Sequence, residues 1–161
     1  MRPMKPTPPE QTPFGRLDEG ALAQVLGYQI VQANLATLQL FASAVGRVFD
    51  LRPVEFTVLA LVDQNPGLAA TQLAKALAMT PPNAKQWIDR LQARGLLQRE
   101  PHATDGRALH IRATKAGSAL CRKAVQAVTE AERQGLPGLS AGEHAILLEL
   151  LHKVARNRTS R

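Results

Sequence analysis

Residues 68–114 read LAATQLAKALAMTPPNAKQWIDRLQARGLLQREPHATDGRALHIRAT. Thr71 is placed to cap a short helix through Ala78, with Leu73, Ala74 and Leu77 turned inward at the spacing that two crossed helices need. Thr80 caps a second helix over 81–94, whose apolar stripe of Ala84, Trp87, Ile88 and Leu91 leaves Pro82, Asn83, Lys85, Gln86, Asp89 and Arg90 on the outer face and flanks. Gly95 suits the left-handed end of that helix. Residues 96–99 and 109–112 then alternate like two strands, and Asp105-Gly106, followed by Arg107, is a tight-turn pair that joins them. Helix, turn, helix and tipped hairpin, in that order, describe a winged helix-turn-helix, a device for reading duplex DNA.

The charge distribution points to the same partner. Between positions 75 and 123 ten Lys and Arg face three acids, Asp89, Glu100 and Asp105, a local excess that equals the net charge of +7 carried by the whole chain. Everything outside that window sums to zero, so the basicity is a patch, and a basic patch favours a polyanion. Aromatic residues make up only 4% of the chain, too few near the patch to build a stacking platform for single strands, which leaves the duplex as the better fit. On the second helix Thr80, Pro82, Asn83, Lys85, Gln86 and Arg90 are the expected DNA-facing residues. Amides pair bidentately with adenine, and cations pair with guanine. Such residues on one helix taken alone usually mark a solvated face, and it is the flanking elements that favour DNA. Arg99 and Arg112 on the strands are expected at phosphates. Asp105 and Arg107 form the hairpin tip, from which a long cation reaches a minor groove; a plain Asp105–Arg107 ion pair on a solvated loop is the alternative.

The remainder of the chain supplies the scaffold. With 161 residues and 45% hydrophobic content, one ordinary domain with a real core is expected. Residues 1–17, proline-rich (Pro3, Pro6, Pro8, Pro9, Pro13) and without hydrophobic period, are expected to be a flexible arm. The stretch 20–46 has no charge, but Gln24, Gln29, Gln32, Asn34 and Gln39 exclude a membrane span. It reads as a long helix capped by Asp18, with Ile30, Val31, Leu38, Phe41, Val45 and Val48 on one face and glutamines on another. One small domain offers too little surface to cover it, so a second subunit is the expected cover. Pro53 breaks the helix and opens a packing helix to Gln64, closed by Asn65-Pro66-Gly67. A helix over 115–133 is separated by Pro137 and its flanking glycines from a last helix over 140–153, capped by Ser140 with Glu143 and expected to pack back on the first.

Catalysis is not expected. His102 and His110 lie on the hairpin and His144 and His152 on the last helix, with no pair at the spacing of a helical metal clamp, and no glycine-rich phosphate loop follows a strand. No metal or cofactor is therefore expected. The single cysteine, Cys121, permits no internal disulfide and, with no signal peptide visible, suits a cytoplasmic protein. Tyr28, Asn34 and Phe41 on the long helix are the candidate lining of an effector pocket, and a buried Asn34 amide paired across a dimer is the structural alternative. A carboxylate ligand there would need a cation from elsewhere, Arg47 being nearest in sequence.

Ile88-Asp89-Arg90-Leu91, Arg94-Gly95-Leu96, Arg99, the Asp105-Gly106-Arg107 tip and Thr114-Lys115-Ala116-Gly117, in this order, resemble the DNA-binding lobe of the MarR family of bacterial transcription regulators. The fold class expected is mainly α with a small β-hairpin wing: one domain over 18–161, in which a winged helix-turn-helix (53–113) is flanked by N-terminal (18–51) and C-terminal (114–161) dimerisation helices. The resemblance implies a homodimer on a palindromic operator, acting as a repressor released by a small aromatic or amphipathic ligand bound between the lobes. Relatives of this kind usually place Ser, Thr or Arg where this chain has Pro81-Pro82, so its operator preference is expected to be its own. The redox-sensing relatives carry a cysteine near the N-terminal helix, whereas Cys121 lies far from it, and a buried inert thiol is expected. Alternative readings are an architectural DNA-binding protein without effector, a metal- or thiol-responsive regulator, and a helical interaction module.

Overall fold

The computed structural model describes residues 11–101 and 109–159. It is mainly helical with one small antiparallel sheet, as the patterning predicts. A 3-10 turn (Gly20–Gln24) leads into α1 (Leu26–Phe41), which passes through a π-helical turn (Ala42–Gly46) into α2 (Arg47–Phe49). Ser43 donates its hydroxyl to the carbonyls of Gln39 and Leu40 beside that wide turn. Asp18 does not cap the long helix. Its Oδ1 accepts from the Gly20 amide at 2.9 Å in a local turn ahead of the 3-10 turn, whose own N-cap is Glu19, and the extended Val25 separates that turn from α1.

Asp50, left-handed at φ 50°, ends α2, and Pro53 opens α3 (Pro53–Gln64), where a first-turn proline costs no hydrogen bond. The two-residue strand β1 (Leu68–Ala69) then delivers the chain directly into α4 (Ala70–Ala76). Thr71 consequently lies inside the first turn and caps nothing; Ala69 is the N-cap, and its amide is taken by Gln72 Oε1 at 3.0 Å. Thr80 caps α5 (Pro81–Ala93) as expected, accepting from the Asn83 amide. Beyond α5, Gly95 adopts φ +68°, and the amides of Gly95 and Leu96 bond back to Gln92 and Leu91, closing the helix in a left-handed turn.

Strands β2 (Leu97–Pro101) and β3 (Leu109–Ala113) pair in the register Leu97↔Ala113 through Pro101↔Leu109, and β1 adds to the other edge of β3, giving the order β1-β3-β2. Thr114 then caps α6 (Lys115–Gly135), donating to the Gly95 carbonyl at 2.7 Å while accepting from the Gly117 amide. Gly117 passes so close to β2 that an added Cβ would stand 2.0 Å from the Leu96 carbonyl oxygen, so no other residue fits there. Val58, Leu59, Leu73, Ile88, Leu91 and Ile111 are wholly buried where α3, α4, α5 and the sheet meet. That core fixes α5 with its opposite face to solvent.

Helix α7 (Ala141–Ala155) carries the expected capping box between Ser140 and Glu143 but does not pack back on α1. No residue of α7 is buried, and Ile146, Leu147, Leu148, Leu150, Leu151 and Val154 are all exposed. Helix α6 carries the chain about 30 Å along its axis before α7 begins. Arg158, just past its end, holds the carbonyls of Lys75 and Ala76 at 3.3 and 3.2 Å at the end of α4.

Candidate nucleic-acid interface

Burial of Ala84, Ile88 and Leu91 leaves Pro82, Asn83, Lys85, Gln86 and Arg90 exposed on the outer side of α5, and all of these but Asn83 line a shallow depression with Asp89 and Ala93. The paired prolines occupy the first two helical positions, where amide hydrogens have no intrahelical partner, so the helix begins normally but offers fewer donors to an anion at its tip. Thr80 is exposed at the same end.

The charges on this face are organised. Arg90 lies over the half-buried Trp87 ring, its guanidinium carbon 5.2 Å from the ring centroid, a stacking contact that restrains a long cation. Lys85 Nζ meets Asp89 Oδ2 at 2.8 Å, one helical turn on. Arg99 on β2 bonds to the other Asp89 oxygen and, through Nη1, to Gln92 Oε1 at 2.8 Å. The Asp89 carboxyl is held below the usual carboxylate range, first by its hydrogen bond from Lys85 and then by that from Arg99. Arg99 is thus turned toward α5, bracing the first wing strand against the helix. Arg112, expected at a phosphate, is exposed with its Nε 2.8 Å from Glu100 Oε2. Asp105 and Arg107 lie outside the described residues.

Two further residues take part that sequence reading had placed otherwise or passed over. Trp87, expected in the buried stripe, packs partly buried against the core and also presents its ring to Arg90. Arg94, at the end of α5, donates to the carbonyls of Asp50 at 2.7 Å and Phe49 at 3.3 Å and stands 4.0 Å from the buried Glu55 carboxylate. It ties the exposed helix to the junction between α2 and α3. The Lys85–Asp89 pair was readable from its spacing of four; the contacts of Arg94 and Arg99 span loops and were not.

The effector candidates are not gathered in one place. The Tyr28 hydroxyl donates to the buried Glu19 at 2.9 Å and accepts from Gln32, Asn34 is exposed, and Phe41 is buried with its ring tilted against Phe56, 5.4 Å between centroids. Thirteen residues of helix separate Tyr28 from Phe41, about 20 Å. Phe41 alone borders a cavity of about 410 Å³ between α1, α3 and α6, lined also by Thr37, Leu38, Phe56, Thr57, Val128 and Glu132. Cys121 is 3% exposed, and burial pushes its thiol up from the ordinary value, which keeps it protonated and weakly nucleophilic. Among the described residues no cluster of His, Cys, Asp and Glu is arranged to hold a metal ion, and no helix is long and apolar enough to cross a membrane.

Comparison with known proteins matches this geometry to a family. The MarR family model matches residues 49–108, the span from the end of α2 through α5 to the wing. The transcriptional repressor CouR, solved bound to a 23-mer DNA duplex, is 33% identical, with 86% of this chain and 98% of that chain covered and a TM-score of 0.77. Apo wild-type MarR from E. coli is 27% identical over 80% of this chain and 96% of that one, with a TM-score of 0.68. An HTH-type transcriptional repressor of Mycobacterium tuberculosis is 29% identical over 129 residues, 80% of this chain and 92% of that protein. The chain belongs to the MarR family of winged-helix, DNA-binding transcription regulators, a class without enzymatic activity.

Proposed function

We propose that the protein is a cytoplasmic, homodimeric repressor that reads a palindromic duplex operator with α5 and leaves it when a small aromatic or amphipathic ligand binds. The observation that carries this reading is the exposed α5 face, where Asn83, Lys85, Gln86 and Arg90 stand clear of the core on a rigidly packed helix. Asn and Gln amides and Arg and Lys cations are the groups that discriminate base edges in a major groove, with Thr80 and Pro82 at the helix tip. Arg112 and the wing residues Asp105 and Arg107 are assigned to the adjacent backbone and minor groove. Arg99 acts indirectly, through Asp89.

The exposed apolar residues of α1 and α7 support the dimer. Val31, Leu35 and Leu38 on α1, with Ile146, Leu147, Leu150 and Leu151 on α7, present more apolar surface than a lone small protein leaves to water. A second copy related by a two-fold axis covers both and sets two α5 helices for two half-sites. The 23-mer on which CouR was solved spans about two helical turns, room for that arrangement. The ligand-release part rests on the cavity between α1, α3 and α6, which lies where the long helices meet the DNA-binding lobe. Expansion there moves α3, and with it α5.

Selection of bound duplexes from genomic fragments tests the reading, followed by comparison with the Gln86→Ala variant. Loss of one bidentate amide contact should cost about 1–3 kcal/mol at a single base pair of the selected operator and leave other positions unchanged. A uniform loss across all duplexes would remove base readout from Gln86.

A further inference from the structure

The cavity between α1, α3 and α6 carries its own charge specification. Its walls are Leu38 and Phe41 from α1, Pro53 and Phe56 from α3 and Val125 and Val128 from α6, with the hydroxyls of Thr37, Thr57 and Thr129 spaced around them. At about 410 Å³ it has the size of a one-ring ligand site. Glu132 is the sole ionisable residue among those that line it, and no Lys, Arg or His is present there. The carboxylate of Glu132 is half-buried and makes no ion pair among the described residues, because its neighbour Arg133 is turned to Glu130, at 3.0 and 2.7 Å.

We infer that this cavity selects an aromatic ligand bearing a cationic amine, with the ring against Leu38, Phe56 and Val128 and the ammonium on Glu132, and that it discriminates against aromatic carboxylates. An ammonium gains a charge-assisted bond to a carboxylate that has no competing partner. A carboxylate ligand loses its hydration to enter an apolar cleft and meets a like charge with no cation to offset it. The hydroxyls of Thr37 and Thr57 already donate to the carbonyls of Asn34 and Pro53 and so present only lone pairs to a ligand, which suits a donating ammonium and not a carboxylate. This inference deepens the ligand-release reading and rests on it.

Three probes with one ring and different heads separate the possibilities: tyramine, the neutral alcohol tyrosol, and para-hydroxyphenylacetate. Calorimetric titration into the full-length protein, with duplex release measured in parallel, should give tyramine a Kd at least about fivefold lower than that of para-hydroxyphenylacetate, with tyrosol between. The Glu132→Gln variant should bring the three within about twofold of one another while leaving tyrosol unchanged. Equal binding of all three by the unaltered protein, tightest binding of the carboxylate, or a tyramine preference that survives Glu132→Gln would overturn the charge assignment and leave the ligand site standing. Failure of all three probes to bind or to release duplex would overturn the assignment and the ligand-release reading together.

Discussion

Asp89 holds two cations at once, Lys85 from its own helix and Arg99 from the wing strand, and so restrains the charge of the exposed α5 face. Replacing it by Asn frees Lys85 for phosphate, and non-specific duplex affinity should rise, with the salt slope steepening by up to about one unit. The same substitution loosens Arg99 from α5, so thermal stability should fall at neutral pH. The pH profile follows from the depressed carboxyl: a group held below its unfolded value stabilises fully above the ordinary Asp value of about 4, and that contribution is lost as pH falls through the folded value. Melting curves of the two proteins should run apart above about pH 5 and converge in stronger acid. Curves that keep a constant separation down to the acid limit would show that Asp89 does not act through its charge. Some of this was legible in the sequence. The caps Thr80 and Ser140 follow from local chemistry within three residues, but the contact of a strand cation with a helix carboxylate depends on how β2 lies against α5.

The elements of the DNA-binding lobe were legible because each buries a stripe with its own period, and Gly95 and Pro53 punctuate them. Strand β1 was not, because two residues show no alternation, and it exists only through pairing with β3. The same pairing displaced the cap of α4 from Thr71 to Ala69. Arg94 is the main link between elements, fastening the end of α5 to the carbonyls that end α2. Arg94→Ala should cost about 1–2 kcal/mol of stability, read by denaturant titration, since it leaves two carbonyls and the buried Glu55 without their cation. Arg94→Lys should recover only part, because an ammonium lacks the fork that spans both carbonyls. Full recovery by Lys would reduce the link to a point charge.

Over the whole molecule the last helix lies where its caps place it, but it does not pack on the first helix as expected. Amphipathic periodicity states that a face is covered, and it is silent on whether the cover comes from the same chain. In the structure the face is bare, and the proposed dimer covers it. The double substitution Leu147→Glu with Leu151→Glu should leave the helix-turn-helix core intact, yield a monomer in light scattering, and weaken operator binding by about a hundredfold or more, as loss of the second half-site requires. A dimer that survives both glutamates would move the interface elsewhere. The proposed effector site was the least legible part, since Tyr28, Asn34 and Phe41 share one helix but lie in different surroundings, and the cavity takes lining residues from three elements. The central claim, that two copies of α5 read one duplex, is tested most directly by hydroxyl-radical footprinting of the unaltered protein on a selected operator. The account predicts two protected patches about one helical turn apart, related by symmetry, with two protomers per duplex. A single patch, or uniform protection along the duplex, would contradict it.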